Sequence, residues 1–158
     1  MAEGKKREYL RATCEKKILE FIERASLINA GKADYRYYNR IEEIILFGSM
    51  VNTENDTVHD IDIYVQWTDD RMLMAKFMDE NEDVVYQKFP SLVDAFFAEW
   101  HLAERFLKGR CGIFSVHSNV VEGMEVRKIA CADKHLYLMR NGIVNEEALA
   151  RFRKSPAK

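Results

Sequence analysis

Two carboxylates spaced two residues apart, Asp60 and Asp62, follow a Gly48-Ser49 pair after ten intervening residues, and each motif is set in an apolar run. In an extended strand alternate side chains share a face, so Asp60, Asp62, Tyr64 and Gln66 point one way while Ile61, Ile63, Val65 and Trp67 point into a core. The two acids then stand roughly 7 Å apart at Cα, and like charges that close resist joint ionisation unless a cation neutralises them. Mg²⁺ or Mn²⁺ suits the task, because hard oxygen ligands bind it and it completes its shell with water and substrate phosphate. Upstream, Ile44-Ile45-Leu46-Phe47 reads as a buried strand. Gly48 lets the backbone approach a bulky ligand, and Ser49 adds a hydroxyl and an N–H, donors that phosphate oxygens accept.

Phe47-Gly48-Ser49, ten residues, then Asp60-Ile61-Asp62-Ile63 resembles the signature of the DNA polymerase β-like nucleotidyltransferase superfamily, particularly its minimal nucleotidyltransferases. The likeness covers about Ile44 to Trp67. It implies an α+β fold, a mixed β-sheet flanked by helices, in which Gly48 and Ser49 grip a nucleoside triphosphate and Asp60 and Asp62 bind the divalent metal. The implied activity is transfer of a nucleoside monophosphate from NTP to a hydroxyl acceptor, with release of pyrophosphate. Family members usually carry a third carboxylate on a later strand, which completes a two-metal site.

The later strand in this chain is read over Cys111 to His117, a segment that contains no Asp or Glu. Alternation groups Ile113, Ser115 and His117 on one face, so Ser115 or His117 stands where the third acid is expected. A histidine there can serve as base or ligand at neutral pH. Glu122 and Glu125 follow closely and could reach in from a loop. Four cations near the motif are available for phosphate: Arg71, Lys108, Arg127 and Arg110, with Arg110 preferred because the Gly109-Arg110 turn belongs at a sheet edge. A catalytically degenerate nucleotidyltransferase-fold binding or regulatory module, antitoxin-like or a phage accessory protein, is the alternative reading.

These residues need a scaffold. Leu10, Cys14, Ile18, Phe21, Ala25 and Ile28 recur at three or four residues, which predicts a long amphipathic N-terminal helix ended by Gly31. Thr68 is placed to cap a helix over Asp69 to Met78, and Ser91 to Lys108 reads as one helix whose apolar stripe from Leu92 to Leu107 covers a sheet. Glu125 to Cys131 and His135 to Val144 read as strands, with a turn signal at Asn141-Gly142. Tyr35, Tyr37 and Tyr38 either stack on a base or pack the first helix onto the sheet.

At 158 residues and 47% hydrophobic the chain can bury one core, so a single domain over 1–158 is expected, with 1–6 and 152–158 frayed. A net charge of −2 argues against a surface-wide basic nucleic-acid binder while leaving room for a local patch. Three widely spaced cysteines form no disulfide or zinc pattern. No apolar run approaches membrane-spanning length, and the basic start leads into a charged helix, so the reading is cytoplasmic. The partners expected are an NTP and an acceptor or partner protein, a homodimer being compatible.

Overall fold

A computed structural model describes residues 8–153. In chain order the elements are β1 (Tyr9–Leu10), α1 (Arg11–Asn29), β2 (Ile41–Phe47), α2 (Ser49–Asn52), β3 (Thr57–Val58), β4 (Ile61–Trp67), α3 (Arg71–Glu80), α4 (Glu82–Lys88), α5 (Leu92–Phe96) and α6 (Ala98–Lys108). They continue with β5 (Phe114–Ser118), α7 (Asn119–Glu122), α8 (Glu125–Cys131), β6 (Leu136–Arg140), β7 (Ile143–Val144) and α9 (Glu146–Arg153). Five strands form a mixed sheet in the order β5-β4-β2-β6-β7, and β1 pairs separately with β3. Only β4 and β5 run parallel, which follows from the helical connection α3 to α6 between them, since a parallel pair needs a crossover where an antiparallel one needs a hairpin. The α+β class, the mixed sheet flanked by helices and the long first helix are as the sequence predicts. No helix among the described residues is long and apolar enough to cross a membrane.

The two faces of the sheet are covered unequally. Ile44 and Leu46 of β2 and Ile61, Ile63, Val65 and Trp67 of β4 join the main core with the buried stripe of α1, with Leu102, Ala103 and Leu107 of α6 and with Leu149 and Phe152 of α9. On the opposite face Ile45 and Tyr64 pack against Val126 and Ala130 of α8. The row expected to be polar is therefore partly dry. Tyr64 is fully buried, and burial pushes its phenol up to about 12.

Several expected elements take another form. Glu125 to Cys131 is a helix: Val126 and Ala130, four apart, bury one side, which is helical spacing, while Glu125 and Lys128 pair outside at 3.2 Å. The segment Ser91 to Lys108 breaks at Phe97 into α5 and α6. Leu92 and Val93 are 79% and 67% exposed, so the first part of that stripe covers nothing in this chain. Asp70 caps α3 by accepting from the amides of Met72 and Leu73; Thr68 turns back to accept from the Arg40 amide. Tyr37 stacks on Phe77 of α3 at 5.6 Å and Tyr35 meets the same ring edge-on, so these two rings pack on α3 within the main core. Residues 1–6 and 154–158, expected to fray, lie outside the described residues; Phe152 is buried against the core, so the last turn of α9 is held.

The tyrosine segment is anchored by a buried acid. Glu99 of α6, 2% exposed, accepts from the amides of Tyr38 (2.6 Å) and Asn39 (3.1 Å) and from the Asn39 side-chain amide (2.7 Å). Asn39 in turn accepts from Thr68 Oγ1 and the Asp70 amide, which ties the start of β2 to the end of β4. Burial raises the Glu99 carboxyl above the usual carboxylate range, against the lowering effect of the donors from Asn39 and Tyr38. The folded chain therefore holds this proton to higher pH than the unfolded chain, and stability falls as pH rises from the ordinary carboxylate value through the raised one. Glu99→Gln loses at least one acceptor and is expected to cost about 2 kcal/mol. Urea titrations at several pH values should show the gap between wild type and variant widest at low pH and narrowing above it. A gap independent of pH would mean that the Glu99 carboxyl titrates alike in the folded and unfolded chains.

Candidate functional site

Strand register assembles the site. On β2 and β4, Phe47 pairs with Asp62 and Ile45 with Tyr64; on β4 and β5, Asp62 pairs with Ser115 and Tyr64 with His117. Two cross-strand rows result on one face: Phe47, Asp62, Ser115, and behind it Ile45, Tyr64, His117. Helix α8 roofs the second row through Tyr64, held down by Arg127, whose guanidinium forks onto Glu43 at 2.9 and 3.2 Å. Asp62 and Ser115 in the first row are half-buried. Asp60 immediately precedes β4 and is also half-buried.

Gly48 closes this row. Its φ of 74° and ψ of −152° belong to a backbone region that side-chain-bearing residues avoid. A Cβ built there would run into the Asp62 carboxylate, 3.1 Å from Cγ and nearer still to Oδ2. The glycine thus does two things at once. It turns the chain out of β2 into α2, and it gives the acid bare backbone to lie against. Ser49 begins α2, half-buried, and its carbonyl accepts from Thr53 Oγ1 at 2.8 Å.

The residues after Gly48 are braced by a side chain that the sequence did not single out. Arg11, the first residue of α1, donates from Nε to the Asn55 carbonyl (2.6 Å), from Nη1 to Met50 (2.9 Å) and from Nη2 to Thr53 (3.0 Å). One guanidinium satisfies carbonyls across the whole connection between the two motifs. About forty residues of chain separate the partners, so no local spacing could have signalled it.

His117 is oriented from both sides. Its Nδ1 lies 3.1 Å from Glu122 Oε2 on α7 and its Nε2 lies 3.4 Å from Ser115 Oγ, with the Phe47 ring 5.8 Å away. A proton held on Nδ1 by the carboxylate leaves the Nε2 lone pair toward the serine. Glu122, not Glu125, is the acid that reaches this face. Glu104 of α6 lies nearby: burial raises its carboxyl, Lys108 opposes that, and the charges of Glu122 and His117 act on it in turn. Ile113 departs from the expected alternation. It precedes β5 and is buried in the main core, so only Ser115 and His117 share the site face.

The cations divide. Arg110 is exposed in the connection that enters β5, at the same sheet end as Asp60, because β4 and β5 run parallel. Arg71 lies beyond the other end of β4 and pairs with Asp69 at 2.9 Å, Arg127 is committed to Glu43, and Lys108 faces Glu104 at 4.0 Å. Among the described residues no three His, Cys, Asp or Glu side chains converge into a metal cage. Asp62 on its row and Asp60 just before β4 are hard oxygen donors of the kind that suits Mg²⁺ or Mn²⁺, which keeps waters and substrate phosphates in its shell and takes one or two protein acids. No protein-family profile, curated protein or solved structure matches the chain.

The contact between Gly48 and Asp62 yields a double-mutant cycle. Gly48→Ala should cost about 3 kcal/mol, combining backbone strain with the collision. Asp62→Ala in the same background removes the collision and leaves the strain, so the double variant should be more stable than the sum of the singles by about 1 kcal/mol, as read by urea denaturation. Additive losses would mean that the glycine serves the turn alone.

Proposed function

We propose that this chain is a nucleotidyltransferase-fold protein of the DNA polymerase β-like superfamily that transfers a nucleoside monophosphate from an NTP to a hydroxyl acceptor in the presence of Mg²⁺ or Mn²⁺. The observation that carries the reading is the Asp62 carboxylate lying against the glycine-only turn at Gly48, across a pair of strands whose register also aligns Ser115 and His117.

Asp60 and Asp62 hold the cation, which when bound offsets triphosphate charge. The bare backbone at Gly48 and the Ser49 hydroxyl take the phosphates, and Arg110 at the rim adds a positive charge where pyrophosphate departs. His117, its ring fixed by Glu122, takes the proton from the attacking hydroxyl, the task that a third carboxylate serves in related enzymes. Most of the work is positioning and electrostatics, as in other phosphoryl chemistry. A second reading, a nucleotide-binding regulatory module without turnover, is favoured by one observation: the register neighbour of Asp62 is a serine where active relatives usually have an acid.

Asp60→Asn and Asp62→Asn should each weaken Mg²⁺-dependent NTP binding at least about tenfold in calorimetry, with thermal stability unchanged or raised because one of two like charges is gone. Affinity equal to wild type in both variants would remove the metal assignment. His117→Ala should lower turnover on the order of 10²-fold with little loss of NTP affinity. Tight NTP binding with no transfer to any component of a lysate would favour the regulatory module.

A further inference from the structure

The hydroxyl nearest the proposed base belongs to the chain itself. Ser115 is half-buried, stands beside Asp62 in the register of β4 and β5, and its Oγ lies 3.4 Å from His117 Nε2, while Glu122 Oε2 lies 3.1 Å from the other ring nitrogen. A hydroxyl, an imidazole and a carboxylate in that order make a serine nucleophilic: the ring accepts the serine proton and the acid stabilises the ring as it becomes charged. Two neighbouring hydroxyls are committed elsewhere. Ser118, three residues on, is 1% exposed and accepts from the Val120 amide as the cap of α7, and the buried Tyr64 hydroxyl donates to Gln66.

We propose that Ser115 is a nucleotidyl acceptor and that the protein modifies itself there; the inference rests on the nucleotidyl-transfer reading and names its acceptor. Ser115 Oγ forms a bond to the α-phosphorus of the NTP, the bond from that phosphorus to the oxygen bridging to the β-phosphorus breaks, and pyrophosphate leaves with that oxygen. The serine proton passes to His117 Nε2. The product is a phosphodiester joining Ser115 to a nucleoside 5′-monophosphate. Because the added group sits beside Asp62, it occupies the row that received the NTP, so each chain reacts once and then stops.

The purified full chain is incubated with each α-labelled NTP and Mg²⁺ or Mn²⁺. Label and intact mass are followed, and the tryptic peptide 111–127, which holds both Ser115 and Ser118, is fragmented. The expected result is label rising to at most one nucleotide per chain, located on Ser115 and stable in acid, as a phosphodiester is and a phosphoramidate on histidine is not. Ser115→Ala should lose the label while still binding Mg²⁺·NTP in calorimetry, Ser115→Thr should keep it, and His117→Gln should slow labelling on the order of 10²-fold. Labelling of Ser115→Ala at the wild-type level, or label on Ser49, Ser118 or His117, overturns the proposal. An unlabelled chain that binds NTP or labels a lysate component overturns it too, while leaving the nucleotidyl-transfer reading standing. A chain that neither binds NTP nor transfers anything overturns both.

Discussion

The pairing of Phe47 with Asp62 fixes everything else in the site. Side chains alternate along a strand, so a slip of one residue between β2 and β4 would turn Asp62 into the main core and bring Ile61 or Ile63 out. The apolar partners forbid that slip: Ile61, Ile63 and Val65 are wholly buried under the helices, and no arrangement buries them while moving Asp62 off its face. Core packing therefore aims the carboxylate. The same register, carried into β5 by the parallel pair, delivers Ser115 and His117 to that face with no further device.

The two faces of the sheet do different work. One is covered along its length by α1, α6 and α9 and supplies most of the apolar burial. The other is roofed only over Ile45 and Tyr64, by a helix that depends on a forked ion pair between Arg127 and Glu43 as well as on two small contacts. A fully roofed face would have left no opening beside Gly48 and Asp62. The short α8 gives the chain a dry floor next to a half-open row, and that boundary is where the polar side chains collect.

What the sequence disclosed follows from the range of the interactions involved. Strand alternation over Asp60 to Trp67 is a local signal, and it assigns the buried row of β4 correctly, while Tyr64 on the other face is drier than its polar neighbours suggest. The first helix was legible for the same reason. The break at Phe97 was not, because an unbroken apolar stripe from Leu92 onward looks alike whether or not its first turn is covered, and only the tertiary surroundings leave Leu92 and Val93 exposed. The helix Glu125–Cys131 is ambiguous in sequence because so short an apolar run fits either period. Glu122 and Glu125 are alike in composition and near one another in sequence, and the contact of Glu122 with His117 depends on α7 following β5 without a gap. Arg11 was invisible altogether, since its partners are carbonyls in a distant loop.

That last property has a bearing on how the protein tolerates change. Arg11 grips Met50, Thr53 and Asn55 mainly through their backbone oxygens, which every amino acid possesses. The segment between the motifs can therefore drift in sequence while keeping its course, provided the guanidinium stays. A lysine in its place has one compact charge and no fork with which to span three carbonyls. Variation among natural variants of this chain should collect in the loop and be scarce at the single arginine that holds it.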